Sequence, residues 1–114
     1  MTINQYHLAL NEIENYTDRD AFVSDLALSS AFPEESDLFA TASELVLIWE
    51  AYHMTIRDLR TAAALSRSEF SRRFYIPIRT IENWECTGLN ARECPVYVRL
   101  LIAESIGLMP EVTP

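Results

Sequence analysis

The sequence predicts an all-α protein, with a compact helical domain over residues 54–107 and an N-terminal helical extension over 1–53. Three observations carry that expectation. Apolar residues recur at intervals of three and four along most of the chain, no stretch alternates as a strand would, and helix-start signals precede several of the periodic runs. Only 2 of the 114 residues are glycine, so long helices are not interrupted, and 49% hydrophobic residues suffice for a core.

Taken in order, Ile3, Tyr6, His7, Leu10 and Ile13 give an amphipathic helix over 3–15. Thr17 followed by Asp20 marks the start of a second helix, whose Phe22, Val23, Leu26 and Ala27 share a face. Pro33 breaks it, because the proline ring disfavours helix in the residue before it. Ser36 then caps a third helix reaching about His53. Its stripe of Leu38, Ala42, Leu45, Trp49 and Tyr52 is widened by Phe39, Val46 and Ile48. That breadth predicts burial on two sides, against the following domain and against either the N-terminal helices or a second copy of the chain.

From Thr55 the texture changes. Thr55 with Asp58, and Ser66 with Glu69, have the capping-box spacing, in which hydroxyl and acid each satisfy an orphan amide. Pro77 and Pro95 suit first helical turns, which need no amide hydrogen. The last helix, 95–106, takes its apolar side from Val96, Val98, Leu101, Ile102 and Ile106, and Gly107 stops it. Residues 108–114, with two prolines, read as a loose tail.

Composition narrows the function classes. Cys86 and Cys94 are not in a CxxC pair and lie far from His7 and His53, so no zinc-ligand spacing and no cofactor are expected. Neither histidine has an acid or nucleophile partner at interpretable spacing, and there is no glycine-rich phosphate loop, so no enzyme is expected. The N-terminus has no basic, cleavable leader pattern. The longest apolar run, Leu45–Trp49, is far short of the roughly 20 residues that span a bilayer. The expectation is a cytoplasmic protein without membrane contact.

Charge is unevenly placed. The net charge is −8, but residues 1–54 hold ten acids against Arg19 alone, whereas 55–99 hold eight arginines against five acids. Every basic residue is arginine, whose planar fork suits phosphates, carboxylates and guanine edges.

The stretch 65–85, LSRSEFSRRFYIPIRTIENWE, divides its residues by chemistry. Leu65, Phe70, Phe74, Ile76, Ile81 and Trp84 can face one core. Arg67, Arg72 and Arg73 are left outward on a first helix, and Ile78, Arg79, Glu82 and Asn83 on a second, helix 77–86. A helix exposing Arg and Asn is of the type that reads a major groove, where Arg pairs with guanine and Asn with adenine.

With TIRDLRTAAALSRSEFSRRF before it and CPVYVRLLIAESIGL after it, this stretch resembles the Cro/repressor-like helix-turn-helix family of short bacterial and phage-type regulators. The resemblance covers about 55–107. It implies that Ile78, Arg79 and Asn83 are base readers, that Arg67 and Thr80 touch phosphate, and that Arg60 and Glu85 form a structural ion pair. Three departures stand out. Tyr75 occupies a turn position where glycine is usual, which predicts a reshaped turn. Ile78 replaces a polar reader, and CTGLNARE after the second helix offers only Arg92 as a cation.

Two functions compete. The first is a DNA-binding transcriptional regulator, a homodimer on double-stranded DNA, with 1–53 serving dimerisation or partner sensing. The second is a protein-binding inhibitor or antitoxin of a phage or mobile element, similar to anti-CRISPR proteins, whose acidic 1–53 mimics nucleic acid toward a protein partner.

Overall fold

Side-chain caps set where most of the helices begin. The computed structural model describes residues 1–32, 37–88 and 91–114, and it is all-α. Its helices are α1 (Ile3–Glu12, continued by a 3-10 turn Ile13–Asn15), α2 (Arg19–Ala27), α3 (Leu38–Tyr52), α4 (Ile56–Ala62), α5 (Arg67–Phe74), α6 (Ile78–Glu85) and α7 (Val96–Ser105). Both expected capping boxes form. The Thr55 hydroxyl accepts from the Asp58 amide while the Asp58 carboxylate accepts from the Thr55 amide, and Ser66 with Glu69 does the same. A third box, Thr2 with Gln5, starts α1. The cap of α2 is Asp18, whose carboxylate accepts from Ala21, rather than Thr17. Pro77 and Pro95 stand at the cap positions, one residue before the helices they introduce.

The chain divides into two units, Met1–Ala51 with Leu108–Pro114, and Tyr52–Gly107. In the first, α1, α2 and α3 bury Ala9, Ile13, Phe22, Leu26, Leu45, Ile48 and Ala51. Phe22 is the aromatic centre, edge-on to Tyr16 at 5.6 Å and tilted against Trp49 at 5.4 Å. The tail is not loose. The Ile3 amide donates to the Thr113 carbonyl and the Thr113 amide to that of Met1, each at 3.0 Å, and Pro110 is buried. Backbone pairing offsets the conformational freedom that two prolines alone would not remove.

Within this single chain, α3 is buried along one row. Its inward row is Thr41, Leu45, Ile48 and Ala51, while Leu38 and Phe39 are 53% and 82% exposed. A helix apolar nearly all round gives no single face from periodicity alone. Asp37 accepts from the amides of Phe39 and Ala40 at its start. The break at Pro33, the cap at Ser36 and the acids Glu34 and Glu35 lie outside the described residues.

In the second unit, Ile56, Leu59, Phe70, Ile81, Cys94, Ile102 and Ala103 form the core. Trp84 and Leu65 are half-buried. The apolar side expected for α7 is narrower than its sequence suggests: Ile102 is buried, but Leu101 is 63% exposed. Arg99 donates to the carbonyls of Tyr52 and Met54, both at 2.7 Å, where the chain enters the unit. Among the described residues no helix is long and apolar enough to cross a membrane.

Candidate functional site

The site is built on α4, α5 and α6, and one carboxylate fixes their mutual geometry. Glu85, in the last turn of α6, has a side chain only 1% exposed. Arg60 of α4 grips it with two bonds, Nε to Oε2 at 2.9 Å and Nη2 to Oε1 at 2.8 Å. Arg67 Nε donates to the same Oε1 at 3.4 Å, and Arg57 Nε lies 3.7 Å from it. The hydrogen bonds from Arg60 hold the Glu85 carboxyl below its ordinary range, against the opposing pull of burial. A buried carboxylate is tolerable only with such charge-assisted partners. One carboxylate among three guanidinium groups leaves a cationic surplus on the cluster.

Arg57 was not singled out by sequence. The signal that reveals it is its spacing of three from Arg60, which places both on one face of α4. Arg67 is assigned by resemblance to phosphate. In the folded chain it is half-exposed and also touches Glu85.

The turn joining α5 to α6 is the second element. Tyr75 adopts φ 53 and ψ 49, in the left-handed region. The expected reshaping is therefore absent: a tyrosine takes the backbone conformation that glycine adopts freely. Ser71 makes this possible. Its carbonyl accepts from the amides of Tyr75 and Ile76, and its hydroxyl donates to the Ile76 carbonyl at 2.6 Å. A serine one turn before a helix end gives no distinctive sequence signal, so sequence alone does not reveal this brace.

Beyond the turn, α6 offers Ile78, Arg79 and Glu82 to solvent, with Asn83 and Thr80 half-buried. Ile78, Arg79, Glu82 and Asn83 fall within one 140° sector of a helix turning about 100° per residue. Ile81 and Trp84 occupy the inward side, so the outward face is set by core packing. Arg72 and Arg73 are exposed in the last turn of α5, where cations also complement the helix dipole. Arg73 lies over the Phe74 ring at 5.2 Å. Arg72 borders a hollow of about 330 Å³ with Ser71, Tyr75, Ile76 and Pro77.

The loop after α6 is anchored where Arg92 donates its amide to the Asn83 carbonyl at 3.1 Å. Cys94 is buried and its thiol is pushed up to about 11 by burial, which suppresses the reactive thiolate. Cys86 is exposed, and the two are not bridged. Among the described residues no group of three or more His, Cys, Asp or Glu side chains could hold a metal ion.

The geometry thus brings Arg57, Arg60, Arg67 and Glu85 into one cluster, and Ile78, Arg79, Glu82 and Asn83 onto one face of α6. Such an arrangement can offer cations to an anionic surface and a mixed polar and apolar face to whatever lies against α6. No protein-family model, curated protein or solved structure matches this chain.

Proposed function

We propose that this protein is a sequence-specific DNA-binding regulator, with α5 and α6 acting as a helix-turn-helix and α6 entering the major groove. The observation that carries this reading is the outward face of α6. Arg79 and Asn83 stand there beside Ile78, on a helix whose orientation is fixed by the buried Glu85 cluster. Arg79 and Asn83 have the donor geometry for guanine and adenine edges. Arg67, Arg72 and Arg73, with Thr80, supply phosphate contacts, and Glu82 takes part by accepting from a cytosine amine. The protein binds as a homodimer, each copy on one half-site about one DNA turn from the other.

Selection from random duplexes at low salt tests the reading. An enriched motif is expected. Arg79→Ala and Asn83→Ala then lose sequence preference, each by about 1–3 kcal/mol. Arg72→Ala weakens all duplexes alike and flattens the salt dependence by about one phosphate. Absence of any enriched motif contradicts the reading.

A second reading is favoured by one observation on the other unit. Leu28 and Phe39 are 74% and 82% exposed in a segment dominated by carboxylates. Exposed apolar groups in an acidic stretch of sequence suit a basic protein partner, as an inhibitor or antitoxin of a nucleic-acid enzyme would need. Neutralising Glu34, Glu35 and Asp37 should abolish capture of that partner and leave duplex binding intact.

A further inference from the structure

The outward face of α6 begins with an apolar group where water is the neighbour. Ile78 is 42% exposed, and Tyr75, three residues earlier, is 96% exposed. Tyr75 is the left-handed residue of the turn, and with Ser71, Arg72, Ile76 and Pro77 it borders the hollow. Folding does not require the tyrosine side chain at this place. Left-handed backbone is easier for glycine than for any side chain, and a ring left almost wholly in solvent adds little apolar burial. A bulky residue at such a position therefore points to what it meets outside the fold.

We infer that Tyr75 and Ile78 form an apolar reading edge that seats the C5-methyl group of a thymine. This rests on α6 lying in the major groove, and follows from chemistry once it does. Of the four bases, only thymine presents an apolar group on the major-groove edge. Amide, carbonyl and amine edges would leave Ile78 with no gain on contact. Arg72, which borders the hollow with Tyr75, and Arg79, next to Ile78 in the chain, are both exposed and draw an anionic duplex to this edge, so the charge there suits DNA rather than an uncharged apolar peptide. Tyr75 closes one side of the hollow, and Ile78 presents its aliphatic end to the base step that α6 enters first. The α6 edge thus requires an A·T pair at one half-site position and discriminates it by the methyl.

The experiment replaces thymine by deoxyuridine, one position at a time, in the duplex enriched by wild-type protein. This removes the methyl and keeps every hydrogen-bonding group. At one position per half-site, loss of the methyl should weaken wild-type binding about fourfold, the value of one buried methyl. Ile78→Ala should bind the thymine and deoxyuridine duplexes alike, while its melting temperature stays near that of the wild type. Tyr75→Gly should show a reduced difference between the two. If deoxyuridine is tolerated at every position, the methyl-reading edge is overturned and the DNA-binding reading stands. If the difference persists undiminished in Ile78→Ala and Tyr75→Gly, another group reads the methyl and the inference fails. If no duplex is enriched, both the DNA reading and this inference fall, and the apolar pair belongs to a protein contact.

Discussion

Two helix ends in the 52–107 unit place a residue other than glycine in left-handed backbone, Ala64 with φ 58 and Tyr75 with φ 53. Each is braced by a side chain that reaches five residues along the chain to a carbonyl. Arg60 Nη1 donates to Leu65 at 3.2 Å, and the Ser71 hydroxyl donates to Ile76 at 2.6 Å. Each is also followed by an amide that returns to the bracing residue's own carbonyl, Leu65 to Arg60 and Ile76 to Ser71. The backbone problem is the same and is solved in the same way. What differs is the side chain carried: a methyl at one turn, an almost fully exposed phenol ring at the other. The fold needs the left-handed residue, but it does not need a tyrosine. On the proposed DNA-binding reading, that contrast separates the turn that serves folding alone from the turn that also serves recognition.

The strongest test of the structural turn is Arg60→Ala. It removes the brace at Ala64 and deprives the buried Glu85 of its two shortest bonds, so about 3 kcal/mol of stability should be lost in denaturant unfolding. A loss below about 1 kcal/mol would mean that Arg57 and Arg67 hold the carboxylate unaided.

Acid exposes the same cluster. Glu85 has its carboxyl lowered in the fold, so its contribution is fully present above its unfolded value of 4.5 and fades as pH falls below it. Unfolding followed from pH 6 downward should show this loss in the wild type. Glu85→Gln should be less stable at pH 6 and show a flatter acid dependence.

The brace at the second turn is neutral and smaller. Ser71→Ala should cost about 1 kcal/mol, the usual value of one hydrogen bond between uncharged groups. If it costs as much as Arg60→Ala, the second turn is as structural as the first.

The reach of sequence reasoning follows from the distances over which these interactions act. The boxes at Thr55 and Ser66 were legible because hydroxyl and acid stand three residues apart. Pro77 and Pro95 marked the starts of α6 and α7 to within one residue for the same local reason. The convergence of Arg57, Arg60 and Arg67 on Glu85 was legible only in part, because the partners are separated by 18 to 28 residues. The pairing of Thr113 with Met1 and Ile3 spans nearly the whole chain and leaves no local mark. In α3, apolar residues on every side hid the row Thr41, Leu45, Ile48 and Ala51 until packing chose it. At Tyr75 the strain was visible in the sequence, but the Ser71 brace that accommodates it was not.

The smallest expected stability change is the most informative. Ala64→Gly and Tyr75→Gly each relieve left-handed strain of about 1–2 kcal/mol and add the chain entropy of glycine, for a net gain of about 0.5–1 kcal/mol. The two variants should therefore resemble one another in melting temperature, and part company only in binding. The deciding measurement is the affinity of these two variants for the enriched duplex, side by side with wild type. Wild-type affinity in Ala64→Gly and several-fold weaker binding in Tyr75→Gly, with both at least as stable as the parent, is the predicted result. Equal affinity in all three proteins would contradict the assignment of the second turn to recognition.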